Sequence, residues 1–437
     1  MTPSARLSAA IEVFADIETR RRPAADALKD WGLSHRFAGS GDRAAIAGLL
    51  YDALRRKSSS AWLMGEASPR ASLLGMLRRE RGLDAHAIAA LCDGSRYAPP
   101  PLADDEAAAL ARGALTDAPA YIEGDYPEWL DANLQRMFGD ERAAEGVALA
   151  SRAPLDLRVN TLAAERDEAL AKLQHLDPAA TRWSPVGIRI RLAAEAKSPS
   201  IHAEPIFLKG QIEIQDEGSQ LAALLADAKP GEQVVDLCAG AGGKTLALAA
   251  AMDNRGQIYA TDLDKRRLAP IHARLARAGA RNVQVRTPTG RGAGGDNLAD
   301  LAGRADLVLI DAPCTGTGAW RRNPDAKWRI RPGALAERLK EQQAVLEQAA
   351  TLLKPGGRIA YITCSILAEE NGDQVQRFLS GHPEFSVEKP ADVVKVLGER
   401  AYLFARAALL SDEGLLMTPR RTDTDGFFVS VLRRKSS

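Results

Sequence analysis

Two cysteines stand directly after two runs of aliphatic residues, and they are the side chains in this sequence best suited to covalent chemistry. The run ADLVLIDAPC ends at Cys314, with Asp311 three residues earlier, and GRIAYITC ends at Cys364. A single free cysteine is most often a small buried hydrophobe. Two thiols that each follow a predicted strand and have polar or turn residues beside them instead indicate nucleophilic chemistry, in which a thiolate attacks an electrophilic carbon.

A glycine-rich turn follows a further predicted strand, in the sequence VVDLCAGAGGKT. Gly240, Gly242 and Gly243 let the backbone approach a ligand, whose polar end would meet the N–H groups of the following helix. A Walker A phosphate loop is disfavoured, because Cys238 stands where that motif needs its first glycine. A G-x-G-x-x-G dinucleotide loop also fails, because Thr245 takes the place of its third glycine. The turn is therefore of a third, shorter kind.

The next predicted strand along the chain ends at Asp262, in the sequence YATDLD. A carboxylate at that place can accept hydrogen bonds from two ribose hydroxyls. Together with the short glycine turn, it predicts a site for S-adenosyl-L-methionine. The alternative is a tight structural turn in which Asp262 only caps the next helix.

Cytosine is a substrate for which a methyl donor and two thiols would all be needed. Its C5 carbon is too weak a nucleophile to take a methyl group directly, but thiolate addition at C6 makes an enamine whose C5 can attack. A carboxyl group near N3, here Asp311, would assist that addition, and a base must later remove the C5 proton. One cysteine can add to the ring while the other assists release.

A basic and aromatic stretch, AWRRNPDAKWRIRP, begins five residues after Cys314. Cations suit phosphates and indoles suit base stacking, so the stretch predicts contact with single-stranded nucleic acid, and its charge would also favour a thiolate. The alternative is a solvated basic loop. The candidate RNA-binding residues are Trp320, Arg321, Arg322, Lys327 and Trp328, joined by Arg158 from an earlier segment, LRVNT.

From about residue 206 to the end, the sequence predicts strands that alternate with helices. These elements would hold the groups described above. This pattern is typical of an α/β, doubly wound, Rossmann-like sheet. Ligands of such sheets bind beyond the carboxyl ends of the strands, and the strands before Cys314 and Cys364 are expected to be neighbours. We therefore expect residues 206–437 to form a methyltransferase catalytic domain.

Two further regions precede this sheet. Residues 1–140 show only helical periodicity and predict an all-helical domain, for which a plain helical bundle is the simplest interpretation and binding the plausible role. Residues 145–205 combine short β-like pieces with one helical stretch and predict a small α+β accessory module.

Composition narrows the possible classes of protein. The 437 residues carry a formal net charge of +1, so nucleic-acid binding would rest on local clusters. The four cysteines lack CxxC spacing, which makes a disulfide framework or a metal site improbable. Apolar runs long enough to span a bilayer are missing from the sequence, and the N-terminal stretch carries acidic residues where a signal peptide needs apolar ones. We expect a cytoplasmic monomer without membrane contact.

Several motifs, taken together, resemble those of the RNA (cytosine-5) methyltransferase family. They are DLCAGAGGKT, ATDLD, LIDAPCTGTG, RRNPDAKW, ITCS and DGFF, and the similarity extends to LRVNT and IQDEGSQL, so that it covers roughly residues 150–437. The resemblance implies transfer of a methyl group from S-adenosyl-L-methionine to C5 of a cytosine in RNA. It assigns the nucleophile to Cys364 and product release to Cys314. The helical region is similar in character to the NusB-like RNA-binding domain of bacterial members that act on small-subunit ribosomal RNA.

The resemblance also implies a set of cofactor-binding residues. One position departs from the family pattern: after the third strand an acidic residue usually bonds the adenine amino group, whereas RTPTGR has Thr289 there, with Asp296 nearby as the other candidate. The implied set is Asp236, Cys238, Ala239, Gly240, Ala241, Gly242, Gly243, Lys244, Asp262, Thr289, Asp311 and Pro313.

Other functions compete with this interpretation. In a DNA cytosine-5 methyltransferase the cysteine of the P-C motif would attack, and the T-C-S cysteine argues against that class. A transfer-RNA cytosine-5 methyltransferase would share these motifs, because they do not specify the RNA. A non-catalytic ribosome-assembly factor could keep the fold without the activity, but both thiols and the cofactor residues are present.

Overall fold

The computed structural model describes residues 1–192, 199–288 and 298–436, and these divide into two compact units. The first unit comprises Met1–Arg152 together with Trp320–Arg331, so the chain returns to the helical unit for twelve residues shortly after Cys314. The second unit holds the rest of the described chain, including residues 153–192, which the sequence analysis assigned to a separate module.

The first unit is helical in its described residues. Two of its helices start with a side-chain cap: the Thr2 side chain accepts from the Ala5 N–H, and the Ser68 side chain accepts from the Ala71 N–H. Apolar faces of the longer helices meet in a core that includes Phe14. The helices are Pro3–Arg20, Ala24–Ser34, Ser40–Arg55, Lys57–Met64, Pro69–Arg79, Ala85–Leu91, Asp104–Arg112, Ala120–Glu123, Asp131–Phe138, Arg142–Ala150 and Ala326–Arg329.

The second unit contains a small antiparallel sheet with strand order β2-β3-β1-β4. Its strands are β1 (Leu155–Val159), β2 (Pro178–Ala180), β3 (Gly187–Ile190) and β4 (Ile212–Ile214). Arg166–Lys172 is helical, and a short helix follows at Pro205–Leu208. The β-like pieces around 155 and 187 and the helix between them are thus present as predicted, and β4 extends the same sheet past residue 205.

The large sheet of the second unit has the order β11-β12-β13-β9-β8-β5-β6-β7, with β10 paired to β13. β8 and β9 are parallel neighbours, which confirms the expected adjacency of the strands that precede Cys314 and Cys364. The strands are β5 (Gln233–Asp236), β6 (Gln257–Ala260), β7 (Val283–Val285), β8 (Ala305–Asp311), β9 (Leu353–Thr363), β10 (Phe385–Val387), β11 (Leu409–Leu410), β12 (Leu415–Met417) and β13 (Phe427–Arg434).

Strands β5 to β9 form a parallel Rossmann-like core, and β10 to β13 extend it in antiparallel fashion. This confirms the predicted fold class, because helices alternate with the parallel strands. The helices of this part are Glu217–Leu225, Gly243–Ala251, Lys265–Leu268, Ile271–Ala278, Pro332–Leu352, Gly372–Gly381, Pro390–Val393, Ala401–Ala407 and Pro419–Thr422.

Candidate active site

The two candidate cysteines meet at the carboxyl ends of β8 and β9. Asp311 is paired in register with Ile362, so the loops that follow the two strands start side by side. The Sγ atoms of Cys314 and Cys364 lie 3.3 Å apart, and both residues are partly exposed. A substrate ring that reaches one sulfur therefore also reaches the other.

Backbone contacts hold the loop after Cys314 against the loop after Cys364. The Gly318 N–H donates to the Cys364 carbonyl at 2.9 Å, and the Gly426 N–H donates to the Gly318 carbonyl at 2.8 Å. A Cβ atom at Gly318 would collide with the Gly426 carbonyl oxygen, so only glycine allows this approach. Gly318 of the CTGTG motif and Gly426 of the DGFF motif are thus explained by one close backbone contact.

The protonation of Cys314 is biased by its surroundings. Its hydrogen bond with Cys364 is the largest influence, and burial and the charge of Glu370 act in the same direction, so the pKa of the Cys314 thiol is raised. A raised pKa keeps Cys314 in the neutral thiol form at pH 7. Such a thiol can hold a proton while a neighbouring thiolate reacts.

Asp311 is fixed by a lysine from the glycine-rich turn. The Lys244 ammonium lies 2.7 Å from the Asp311 carboxylate and 5.1 Å from the centroid of the Phe427 ring. The Lys244 side chain is only 7% exposed, whereas that of Asp311 is 35% exposed. The carboxylate therefore remains accessible to a ligand although its partner is buried.

The glycine-rich turn has the backbone that the motif requires. Gly242 has φ +85°, and a Cβ atom there would come 2.5 Å from Ile271 Cγ1. Asp262 is 4% exposed, and its Oδ2 accepts from the Gly240 N–H at 2.9 Å while its Oδ1 accepts from the Asp264 N–H. The predicted ribose-binding carboxylate is thus held at the turn from both oxygens.

Asp236, the last residue of β5, is fully buried beneath the turn. Its Oδ2 accepts from the Thr245 hydroxyl at 2.7 Å, and its Oδ1 has no hydrogen-bond partner among the described residues. Burial raises the pKa of Asp236 to about 7, against the opposing effect of the Thr245 hydrogen bond. Burial likewise raises the pKa of the Cys238 thiol, which favours its neutral form.

Most of the predicted RNA-binding cluster takes part in packing within the helical unit. Trp320, Arg321 and Lys327 are 1–2% exposed. The Lys327 ammonium donates to the carbonyls of Arg55 and Asp125 at 2.8 and 2.6 Å, and burial lowers its pKa to about 7. These three side chains are thus placed in the interior, where they cannot stack on bases or pair with phosphates without rearrangement.

The remaining members of the predicted cluster differ in exposure. Trp328 is half-buried and donates its indole N–H to the Leu54 carbonyl, and Arg322 is also half-buried. Arg158 lies on β1 opposite Glu213, is 3% exposed, and has its pKa lowered to about 10 by burial. Arg158 was predicted to bind RNA, but the structure places it in the interior of the second unit.

Some predicted residues cannot be placed. Thr289 and Asp296, the two candidates for the adenine contact, lie outside the described residues. Within the described part of the chain, no group of three or more His, Cys, Asp or Glu side chains is placed to bind a metal ion. No described helix is long and apolar enough to cross a membrane.

Two buried polar residues near the thiols were missed by the sequence analysis. Glu370 accepts from the backbone N–H of Thr315 at 2.8 Å, and Asn371 Oδ1 accepts from the Thr363 hydroxyl at 2.5 Å. The only sequence signal is their place, six and seven residues after Cys364. The pattern of residue types does not distinguish a buried glutamate from an exposed one.

Comparisons with known proteins agree with this geometry. Residues 223–433 match the family described as 16S rRNA methyltransferase RsmB/F, and residues 126–196 match a ferredoxin-like domain described for RsmF/B-like methyltransferases. The chain is 33% identical over 321 residues to the probable ribosomal RNA small subunit methyltransferase B of Bacillus subtilis, covering 72% of this chain and 67% of the relative.

The chain is also similar to solved structures. The crystal structure of PH0851 is similar over 99% of each chain, with a TM-score of 0.70 and 25% identity. A methyltransferase homolog protein from Pyrococcus horikoshii is similar over 72% of this chain and 97% of its own, with a TM-score of 0.58 and 28% identity. Both similarities extend beyond the parallel sheet alone.

Proposed function

This chain belongs to the 16S rRNA methyltransferase RsmB/F family, and we propose that it transfers a methyl group from S-adenosyl-L-methionine to C5 of a cytosine in small-subunit ribosomal RNA. The observation that carries the proposal is the pair of thiols 3.3 Å apart, beyond the same strand ends as the Lys244–Asp311 ion pair. Methylation of an unreactive ring carbon through a covalent adduct needs this combination of nucleophile and proton-handling groups.

The glycine-rich turn and its neighbours fit the proposed cofactor. Asp262 offers a buried carboxylate for ribose hydroxyls, and a Cβ atom at Gly240 would meet nothing closer than Arg267 at 3.6 Å. The unpartnered Oδ1 of Asp236 leaves one buried acceptor at the base of the turn. When bound there, S-adenosyl-L-methionine supplies an electrophilic methyl group.

The chain's own residues would then perform the following steps. The Cys364 thiolate adds to C6 of cytosine, while Asp311, held by Lys244, hydrogen-bonds the ring and stabilises the electron-rich adduct. After methylation a base takes the C5 proton, the electrons of the C5–H bond restore the C5=C6 double bond, and Cys364 leaves as a thiolate when the C6–S bond breaks. Cys314, whose thiol stands beside Cys364, assists this elimination and returns Cys364 to its free form.

The proposed substrate is supported by the names of the relatives, which are small-subunit ribosomal RNA methyltransferases. A transfer RNA is the main alternative substrate for the same chemistry. A cytosine paired within a helix hides C6 from a thiolate, so the target base would be unpaired or flipped out.

The test is methyl transfer from labelled S-adenosyl-L-methionine to purified small-subunit ribosomal RNA, transfer RNA and duplex DNA, followed by nucleoside analysis. We expect label in 5-methylcytidine from ribosomal RNA, none with Cys364→Ala, and unchanged label with the matched control Cys92→Ala. Label at another base or another ring position would contradict the proposed reaction. Label in transfer RNA alone would replace the proposed substrate.

A further inference from the structure

Glu370 and Asn371 are adjacent residues in the turn after β9, and the proposed reaction gives neither of them a task. Glu370 is 0% and Asn371 2% exposed. A buried carboxylate carries a large desolvation cost unless hydrogen bonds compensate for it, so its partners indicate why it is present.

The Glu370 carboxylate is bonded to the loop that carries Cys314. One oxygen accepts from the Thr315 backbone N–H at 2.8 Å, and the other accepts from the Thr315 hydroxyl. The amide of Gln342 donates both to this carboxylate at 3.0 Å and to the Pro313 carbonyl at 2.9 Å. The residues immediately before and after Cys314 are thus tied, directly or through Gln342, to one carboxylate.

Asn371 makes the equivalent contacts around Cys364. Its Oδ1 accepts from the Thr363 hydroxyl at 2.5 Å, and its Nδ2 donates to the Ser365 carbonyl at 2.9 Å. The residues before and after Cys364 are therefore bonded to one amide. In addition, the Tyr361 hydroxyl donates to the Glu370 backbone carbonyl at 2.6 Å, which fixes the turn to β9.

The two sets of contacts share one rigid link, because Glu370 and Asn371 are consecutive in the chain. Hydrogen bonds to a carboxylate are about twice as strong as neutral ones, and buried hydrogen bonds of this kind restrain the groups that they join. A displacement of about 1 Å between reacting groups can reduce a rate by about a hundredfold. Any change in this link should therefore alter the distance between the two sulfurs.

We propose that Glu370 and Asn371 are positioning residues that clamp the two cysteine loops together and so set the 3.3 Å separation of the Cys314 and Cys364 sulfurs. The value of this separation for release of the methylated base rests on the proposed function. The clamp itself is a property of the folded chain and can be measured without RNA.

The first measurement is the rate at which diamide converts the two thiols into a Cys314–Cys364 disulfide, followed by mass spectrometry of the linked peptides. Diamide takes up the two electrons and two protons that the thiols lose. We expect Glu370→Gln to slow this reaction by about tenfold or more, because one acceptor becomes a donor facing Thr315 and Gln342. Glu384→Gln is the matched control, since Glu384 is partly exposed and its carboxylate bonds to His382.

A second variant guards against a general loss of folding. Asn371→Asp keeps the acceptor for the Thr363 hydroxyl but loses the donor to the Ser365 carbonyl, so it weakens the clamp from the Cys364 side. Circular dichroism and the urea midpoint identify variants that remain folded. A disulfide rate equal to wild type in folded Glu370→Gln and folded Asn371→Asp would overturn the clamp.

The second measurement is single-turnover methylation on a denaturing gel. With the clamp loosened, Cys314 would be displaced from Cys364 and would assist elimination less effectively. We therefore expect the covalent RNA adduct to persist at least several-fold longer in Glu370→Gln. A merely structural role would instead lower adduct formation and methyl transfer together, which would contradict a positioning role. If wild type methylates no RNA while the disulfide rate still falls in the variants, the proposed function fails and the clamp stands.

Discussion

Residues 311–319 and residues 320–331 follow one another in the chain, yet their polar side chains find partners in different ways. In the first stretch Asp311 pairs with Lys244 and Cys314 with Cys364, and both stay partly exposed beyond a strand end. In the second stretch Lys327 is buried, and its ammonium is bonded to backbone carbonyls of the helical unit. The first stretch keeps its reactive groups accessible, whereas the second anchors the chain.

The comparison teaches that residue type alone does not separate recognition from packing. Arginine, lysine and tryptophan in the second stretch have the composition of an RNA-binding surface, but their long apolar stems and rings also fill a core when backbone carbonyls accept their polar ends. A strand end in a parallel sheet, by contrast, fixes both position and exposure. The following predictions test this division, from the largest expected effect to the smallest.

Replacement of Trp320 should affect stability most. Its side chain is 1% exposed, so Trp320→Ala should cost about 3–5 kcal/mol of unfolding free energy through the cavity it leaves. Trp62→Ala is the matched control, because Trp62 is 42% exposed and should cost about 1 kcal/mol. Urea unfolding followed by circular dichroism gives both values. Equal losses for the two variants would mean that Trp320 is not a core residue.

Replacement of Asp262 should weaken cofactor binding without loss of the fold. Asp262→Ala removes a charged acceptor and should reduce affinity for S-adenosyl-homocysteine by about 1–3 kcal/mol in calorimetry. Asp264→Ala is the control. The Asp264 side chain caps the following helix by accepting from the Arg266 N–H, so its removal should leave the affinity for S-adenosyl-homocysteine unchanged. If both variants bind as wild type does, the ribose assignment is wrong.

The smallest effect is expected at the end of the basic stretch, where Arg331 is exposed. If any part of this stretch contacts RNA phosphates, Arg331→Gln should reduce the slope of log affinity against log salt by about 0.7. Arg338→Gln, which removes the partner of Glu341 on an exposed helix face, is the control and should leave the slope unchanged. An unchanged slope for both variants would mean that Arg331 makes no contact with RNA phosphates.

Much of the catalytic part could be predicted from the sequence because its signals are local. Cys314 and Cys364 follow aliphatic strands, and the parallel sheet brings successive strand ends to one edge. The glycine turn and Asp262 are likewise adjacent to their strands in sequence. The predicted doubly wound fold rests on the same alternation of strands and helices.

The rest depends on contacts between distant residues. Lys327 is satisfied by the carbonyls of Arg55 and Asp125, more than 200 residues earlier, and no local pattern indicates such a partnership. Glu370 is bonded to Thr315, 55 positions away. The short strands β11 and β12, of two and three residues, carry too little periodicity to be distinguished from loops.

The division of labour between the two thiols is tested most directly by a denaturing gel of Cys314→Ala and Cys364→Ala, each mixed with small-subunit ribosomal RNA and S-adenosyl-L-methionine. If Cys364 attacks C6 and Cys314 assists release, Cys314→Ala should accumulate a slowly migrating covalent RNA complex, and Cys364→Ala should form none. The complex should disappear in the double variant and should contain the methylated base. Accumulation in Cys364→Ala with none in Cys314→Ala would contradict the assignment and exchange the two roles.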